Sequence, residues 1–177
     1  IEYLIKQGYT KFFLLGSDYV FPRTANMIIS AQVKDAGLEV VGEEYADMSQ
    51  TDFAAIISKI EEAKPDVIIN TLNGTGNVSF FKQMSEKNYT SDKYMTMSFS
   101  IAEEEVATIG SDILKGHMVS WNYYQTHSRA QNSLPIIGKG RISLRIKSHM
   151  IGSHRHVKAI QHVPLELLQI LVDMGAV

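Results

Sequence analysis

The chain has no cysteine anywhere in its 177 residues and no apolar run near the roughly 18 residues that a membrane helix needs. The first absence removes disulfides and thiolate metal sites, and it suits an unbridged periplasmic protein as well as a cytoplasmic one. There is also no initiator methionine and no signal peptide. The sequence opens on Ile1-Glu2-Tyr3-Leu4, which is expected of a start internal to a longer protein. Enzyme signatures are missing too. Gly74-Thr75-Gly76 lacks the third glycine of a dinucleotide loop and the Lys-Ser/Thr of a phosphate loop, and neither a Gly-x-Ser-x-Gly elbow nor a His-Glu-x-x-His helix occurs. Catalysis is not expected, and no cofactor is implied.

What is present is a globular composition, 45% hydrophobic with a net charge of -2, long enough for one domain with a real core. The averages conceal a break. Residues 1–126 carry ten lysines and arginines against seventeen acids, together with all sixteen aromatics. Residues 127–177 carry seven against two, no aromatic, and five of the six histidines. The two stretches do not read as one domain.

Along the first stretch, short apolar runs alternate with segments of helical spacing. Lys11 to Leu15 reads as a strand, and Ala25, Ile28, Ile29, Val33 and Ala36 mark the helix after it, which Gly37 stops. Glu39 to Glu43 is a second strand, and Thr51 can cap a helix with Phe53, Ile56, Ile57 and Ile60 on one face. Asp66 to Thr71 is apolar enough for a strand covered on both sides, and Val78, Phe81 and Met84 mark its helix. Tyr94 to Ser98, Ile101 to Ile109 and Gly116 to Ser120 continue as strand, helix and strand. This alternation predicts an α/β fold, a doubly wound parallel sheet with helices on both faces.

Ligands of such sheets bind beyond the carboxyl ends of the strands, which selects three loops. The first, Gly16 to Pro22, offers Ser17, Asp18, Tyr19 and Phe21, an aromatic cluster with a carboxylate suited to a small planar ligand; equally, the aromatics are loop anchors and Asp18 or Thr24 a helix cap. The second, Thr71 to Gly76, offers Asn73, whose amide both donates and accepts, beside glycines that permit close approach. An ordinary turn explains it as well. In the third, Ser98 and Ser100 precede Glu103, either an acceptor for ligand N–H groups or a dipole-favoured helix start. The triplets beginning at Asn73, Asn77 and Asn88 match the glycosylation sequon, a pattern too short to carry weight.

The string Phe13-Leu-Leu-Gly-Ser-Asp-Tyr-Val-Phe-Pro-Arg-Thr-Ala-Asn26 resembles the second-lobe opening of urea-binding and short-chain-amide-binding proteins, within the type I periplasmic binding protein superfamily that also holds branched-chain amino-acid binders. Val41 to Tyr45, Asn70 to Gly74 with Phe80-Phe81-Lys82, Ser100 to Glu105, Gly116-His117 and Trp121 to Tyr124 agree in order and spacing. The resemblance covers about residues 1–125. It implies a two-lobed, extracytoplasmic protein, periplasmic or lipid-anchored, that closes on urea or a short amide and hands it to the membrane permease of an ATP-driven importer. It also implies that Tyr19 and Phe21 wall the ligand beside Asp18, that Leu72 and Asn73 approach from the third strand, and that Glu103 stands where amino-acid binders pair with an ammonium. Lobe one is missing from this chain, so the chain alone is expected to bind urea very weakly or not at all. A branched-chain amino-acid binder and a cytoplasmic amide sensor that regulates gene expression are the alternatives.

Residues 126–177 depart from the resemblance. The coincident loss of aromatics, reversal of charge and loss of similarity suggest a reading-frame error near Thr126, giving a non-native or poorly ordered tail. The rival is a genuine basic tail contacting nucleic acid or anionic lipid through Lys139, Arg141, Arg145, Lys147, Arg155 and Lys158. The leading reading has no nucleic-acid partner. His149, His154, His156 and His162 lack a carboxylate or cysteine companion, so no metal site is expected. Leu167, Leu168 and Leu171 leave room for an amphipathic helix between Val163 and Val172.

Overall fold

A computed structural model describes residues 1–121 and the strand Ile142–Arg145. The remainder of the expected tail, with its histidines, most of its basic residues and the leucine segment, lies outside the described residues.

A short helix, α1 (Glu2–Lys6), leads into β1 (Lys11–Ser17), α2 (Val20–Asp35), β2 (Glu39–Ala46), α3 (Ala54–Ala63), β3 (Val67–Thr71), α4 (Thr75–Glu86), β4 (Met95–Ser98), α5 (Glu103–Ile109), α6 (Ser111–Leu114), β5 (Met118–Trp121) and β6 (Ile142–Arg145). The sheet order is β2-β1-β3-β4-β5-β6, with β1 to β5 parallel and β6 antiparallel to β5. The expected α/β class and the parallel sheet between helices are therefore present.

Two apolar layers follow from the period of two along each strand. Phe12 and Leu14 of β1 join Val67 and Ile69 of β3 in the layer under α1 and α2, with Leu4, Ile29 and Val33. Phe13, Leu15 and Ile68 point the other way, to Phe53 just before α3 and to Ile57, Ile60, Phe80 and Phe81 from α3 and α4. All five residues of β3 are buried, as its unbroken apolar run required. Glycine at position 42 is dictated by this packing: a Cβ there would sit 2.4 Å from Cε2 of the buried Phe13 ring. The register shifts between Phe12 and Phe13, which pair with Val40 and Gly42, so Val41 is the extra residue of a bulge.

Several element boundaries differ from those read in the sequence. Strand β2 runs on to Ala46, because edge residues that are mostly only partly buried carry a weak apolar signal. Thr51 does not cap α3; Asp52 Oδ1 accepts from the Ala54 N–H at 2.9 Å, while the Thr51 carbonyl accepts from Gln83. Neither Asp18 nor Thr24 caps α2. Helix α5 starts at Glu103 instead of Ile101, whose side chain is core. Glu105 reaches back to the Ala102 N–H at 2.9 Å, which is half of a capping box, since alanine has no side-chain acceptor to complete it.

Between β4 and β5 lies His117, almost wholly buried with its ring edge against Phe81. Its Nδ1 accepts the Thr96 backbone N–H at 3.2 Å, which places the neutral ring's proton on Nε2. Burial lowers its pKa to about 4, against a smaller raising effect of Asp92. Between pH 6.5 and about 4 the unfolded chain binds a proton that the folded chain refuses, so this contribution to stability is complete above pH 6.5 and is lost as pH falls. The loss amounts to about 3 kcal/mol across that window. Urea denaturation at stepped pH is expected to show it, with a visibly shallower dependence in His117→Gln; equal slopes for both proteins would refute the assignment.

Candidate functional site

The sheet has its switch point between β1 and β3: from β1 the chain moves outward to β2, then returns past β1 to β3. In open α/β sheets such a point is where ligands bind, beyond the carboxyl ends of the two strands. Close packing there requires Gly16, where a Cβ would lie 2.6 Å from Thr71 Oγ1 and 2.8 Å from Pro22 Cβ. Thr71 Oγ1 donates to the Leu15 carbonyl at 3.1 Å and closes the two strand ends together.

The first and second loops meet at this point. The Asn73 N–H donates to Ser17 Oγ at 3.0 Å, and Asn73 Nδ2 donates to the Tyr19 hydroxyl at 2.8 Å. Nδ2 also faces the Thr71 carbonyl at 3.4 Å, an acceptor only, and that fixes the orientation of the amide. In this meeting of the loops the Tyr19 hydroxyl accepts, and its own proton and Asn73 Oδ1 make no hydrogen bond to another described residue. Burial pushes the Tyr19 phenol up, so it is a protonated donor at neutral pH. Phe21 stands 6.4 Å from Tyr19, centroid to centroid, tilted by 38°. The mouth thus offers one donor, one acceptor and two ring surfaces.

Asp18 is turned to a different task. Arg23 Nε donates to its Oδ1 at 2.6 Å, and that bond holds the carboxyl below the usual range. The Arg23 guanidinium in turn lies 4.2 Å from the centre of the Tyr45 ring. Both charges are about half exposed, so the pair adds little stability.

Beneath the second loop lies a sealed amide network. Asn70 Nδ2 donates to Asn77 Oδ1 at 2.8 Å and to Ser98 Oγ at 3.0 Å, while its Oδ1 accepts the Leu72 N–H at 2.9 Å. Asn77 Nδ2 donates to the Leu72 carbonyl at 2.8 Å and to Ser100 Oγ at 3.4 Å, and the Ser100 hydroxyl donates to the same carbonyl. Asn70, Asn77 and Ser98 are completely buried. So is Leu72, whose side chain belongs to the core and whose backbone is the part held by the network.

Of the eight residues selected from the sequence, Tyr19, Phe21 and Asn73 therefore gather at the mouth, with Asp18 beside them. Leu72, Ser98 and Ser100 lie in or against the supporting network. Glu103 stands half-buried at the first position of α5, outside the bonds just described, with Glu104 and Glu105 in the same first turn. Sequence reasoning missed Asn70 and Asn77 as the supports and Ser17 as the anchor of Asn73. A buried strand whose apolar run ends in two polar residues, Asn70 and Thr71, was the available signal for Asn70. As for the sequon at Asn77, a buried amide bonded to Leu72 is closed to glycosylation in this fold.

The structure is thus a doubly wound lobe with polar groups gathered at the switch point. Residues 1–139 match the model of the periplasmic binding protein domain, and the chain belongs to that family. Solved structures share the fold at lower identity. A branched chain amino acid ABC transporter periplasmic ligand-binding protein from Burkholderia xenovorans is 18% identical, with a TM-score of 0.63, over 72% of this chain and 34% of its own. An amino acid ABC transporter substrate-binding protein from Pseudomonas fluorescens is 19% identical, with a TM-score of 0.66, over 75% and 36%. An ABC transporter solute binding protein from Rhodopseudomonas palustris, in complex with p-hydroxybenzoic acid, is 23% identical, with a TM-score of 0.68, over 74% and 36%. The chain thus spans about a third of the length of these proteins.

Truncating Asn70 to alanine would leave the Leu72 N–H and Asn77 Oδ1 buried without partners, at a cost of about 2 kcal/mol or more. The midpoint of urea denaturation is expected to fall accordingly; an unchanged midpoint would show that water or a neighbour replaces the bonds.

Proposed function

We propose that this chain is the second lobe, residues 1–125, of a substrate-binding protein that captures urea or a short amide outside the cytoplasm and delivers it to the permease of an ATP-driven importer. The observation that carries the reading is the Tyr19–Asn73 pair. A primary amide has a carbonyl that accepts and N–H groups that donate, and the pair offers a phenolic donor beside a carboxamide acceptor. Neutral groups at the mouth suit a neutral ligand, and the Tyr19 and Phe21 rings supply flat surface for a planar one. Selectivity follows from pairing: a ligand without N–H groups leaves Asn73 Oδ1 unmatched when water is excluded. Capture without turnover is consistent with a wall of amide, hydroxyl and aromatic groups, and closure against a first lobe supplies the remaining contacts.

A second reading, a branched-chain amino-acid binder, is favoured by one observation. Glu103 stands half-buried at the start of α5 on the third loop, a carboxylate at the acidic position that the resemblance pairs with an ammonium group. The Burkholderia xenovorans protein of that description also shares the fold.

Thermal unfolding of the intact two-lobed protein with urea, acetamide, leucine and 4-hydroxybenzoate separates the readings. A ligand at a hundred times its Kd adds about 2.7 kcal/mol and raises Tm. Stabilisation by urea or acetamide, with no effect of leucine, is expected. Stabilisation by leucine alone would transfer the function to the second reading.

A further inference from the structure

Five asparagines lie among the described residues, and only one is followed by glycine: Asn73-Gly74. We infer that Asn73 is a self-modification site, at which deamidation through the Gly74 backbone nitrogen rewrites the polarity of the ligand mouth.

The reaction needs the backbone nitrogen of the following residue to reach the side-chain amide carbon, and the fold decides which asparagine allows this. Gly74 is exposed, is the N-cap of α4 with φ 56° and ψ -133°, and has no side chain to obstruct the approach. As an N-cap residue its N–H precedes the helical ladder, and it donates to no described residue. Attack from this nitrogen breaks no backbone bond. At the other four positions it would. Met27, after Asn26, and Val78, after Asn77, lie within helices; Thr71, after Asn70, is in the central strand β3; and the Tyr89 N–H, after Asn88, donates to the Met84 carbonyl at 2.9 Å. Asn26, Asn70 and Asn77 are in addition fully buried.

The chemistry balances with water as the only co-reactant. The Gly74 nitrogen attacks Asn73 Cγ, a C–N bond forms, the Cγ–Nδ2 bond breaks, and ammonia leaves with the proton given up by Gly74. The product is a five-membered succinimide. Water then opens it at Cγ to give aspartate, or at the backbone carbonyl to give isoaspartate. What departs is the nitrogen that donates to Tyr19 and faces the Thr71 carbonyl. The new carboxylate only accepts, so the Tyr19 hydroxyl turns its proton toward it, and the donor offered at the mouth is withdrawn. The same bond to Tyr19 restrains the side chain before reaction and slows it. The consequence for ligand choice rests on the amide reading; the reaction itself does not.

The test is incubation of the intact chain in mildly alkaline buffer, followed by peptide mapping that separates asparagine, aspartate and isoaspartate. Asn73 is expected to convert at least about tenfold faster than Asn26, Asn70, Asn77 or Asn88. Tyr19→Phe, checked for native circular dichroism, is expected to hasten conversion at Asn73 alone. Persistence of Asn73, or conversion of Asn88 at a similar rate, overturns the inference; an unchanged rate in Tyr19→Phe overturns the restraint by Tyr19. In the two-lobed protein, Asn73→Asp should lose stabilisation by acetamide. If acetamide never stabilises the parent protein while Asn73 still converts, the amide reading fails and the modification site stands.

Discussion

Two buried carboxamides, Asn70 at the end of β3 and Asn77 in α4, set the geometry on which the rest of the mouth depends. Each amide has two donors and one strong acceptor, and in this fold all six are engaged with one another, with Leu72 or with Ser98 and Ser100. Such groups are costly when unpaired in a core and directional when paired. The outcome is that the loops after β3 and β4 share one conformation. Asn73 follows Leu72 directly, so its reach toward Tyr19 is fixed from below by the network and from the side by Ser17. On the proposed reading, the surface that meets the ligand is largely formed before the ligand arrives.

The fold was legible in the sequence because burial on two sides leaves a period that propensity alone would not. The β3 run and the spacing of Ile56, Ile57 and Ile60 determine their elements without ambiguity. Boundaries were less legible where the deciding interaction is polar. The start of α3 follows from Asp52 and that of α5 from Glu105, each a single hydrogen bond that no apolar pattern records. The three loops of the site could be located from topology, since strand ends define them. What could not be read was the division of labour inside them. Tyr19 and Asn73 are far apart in sequence and become partners only through the β1–β3 pairing, and Leu72, expected to approach the ligand from the third strand, is a core residue on the same ground.

Electrostatics divides the mouth in a way that bears on ligand class. Asp18, a carboxylate beside the ring pair, is held by Arg23. Tyr19 remains protonated and Asn73 is neutral, so the facing groups carry dipoles and no net charge. Preformed dipoles against aromatic surface discriminate small polar molecules by the number and direction of their donors. The same arrangement places Asn73 beside its glycine neighbour, so the residue proposed to read an amide is also the one proposed to lose its own.

The central claim is that Tyr19 and Asn73 read a ligand amide, and a crystal structure of the intact two-lobed protein with acetamide or urea tests it most directly. The account predicts the ligand carbonyl within hydrogen-bond distance of the Tyr19 hydroxyl, a ligand N–H on Asn73 Oδ1, and the ring of Phe21 against its plane. A ligand bound between the lobes with neither Tyr19 nor Asn73 in contact would contradict it.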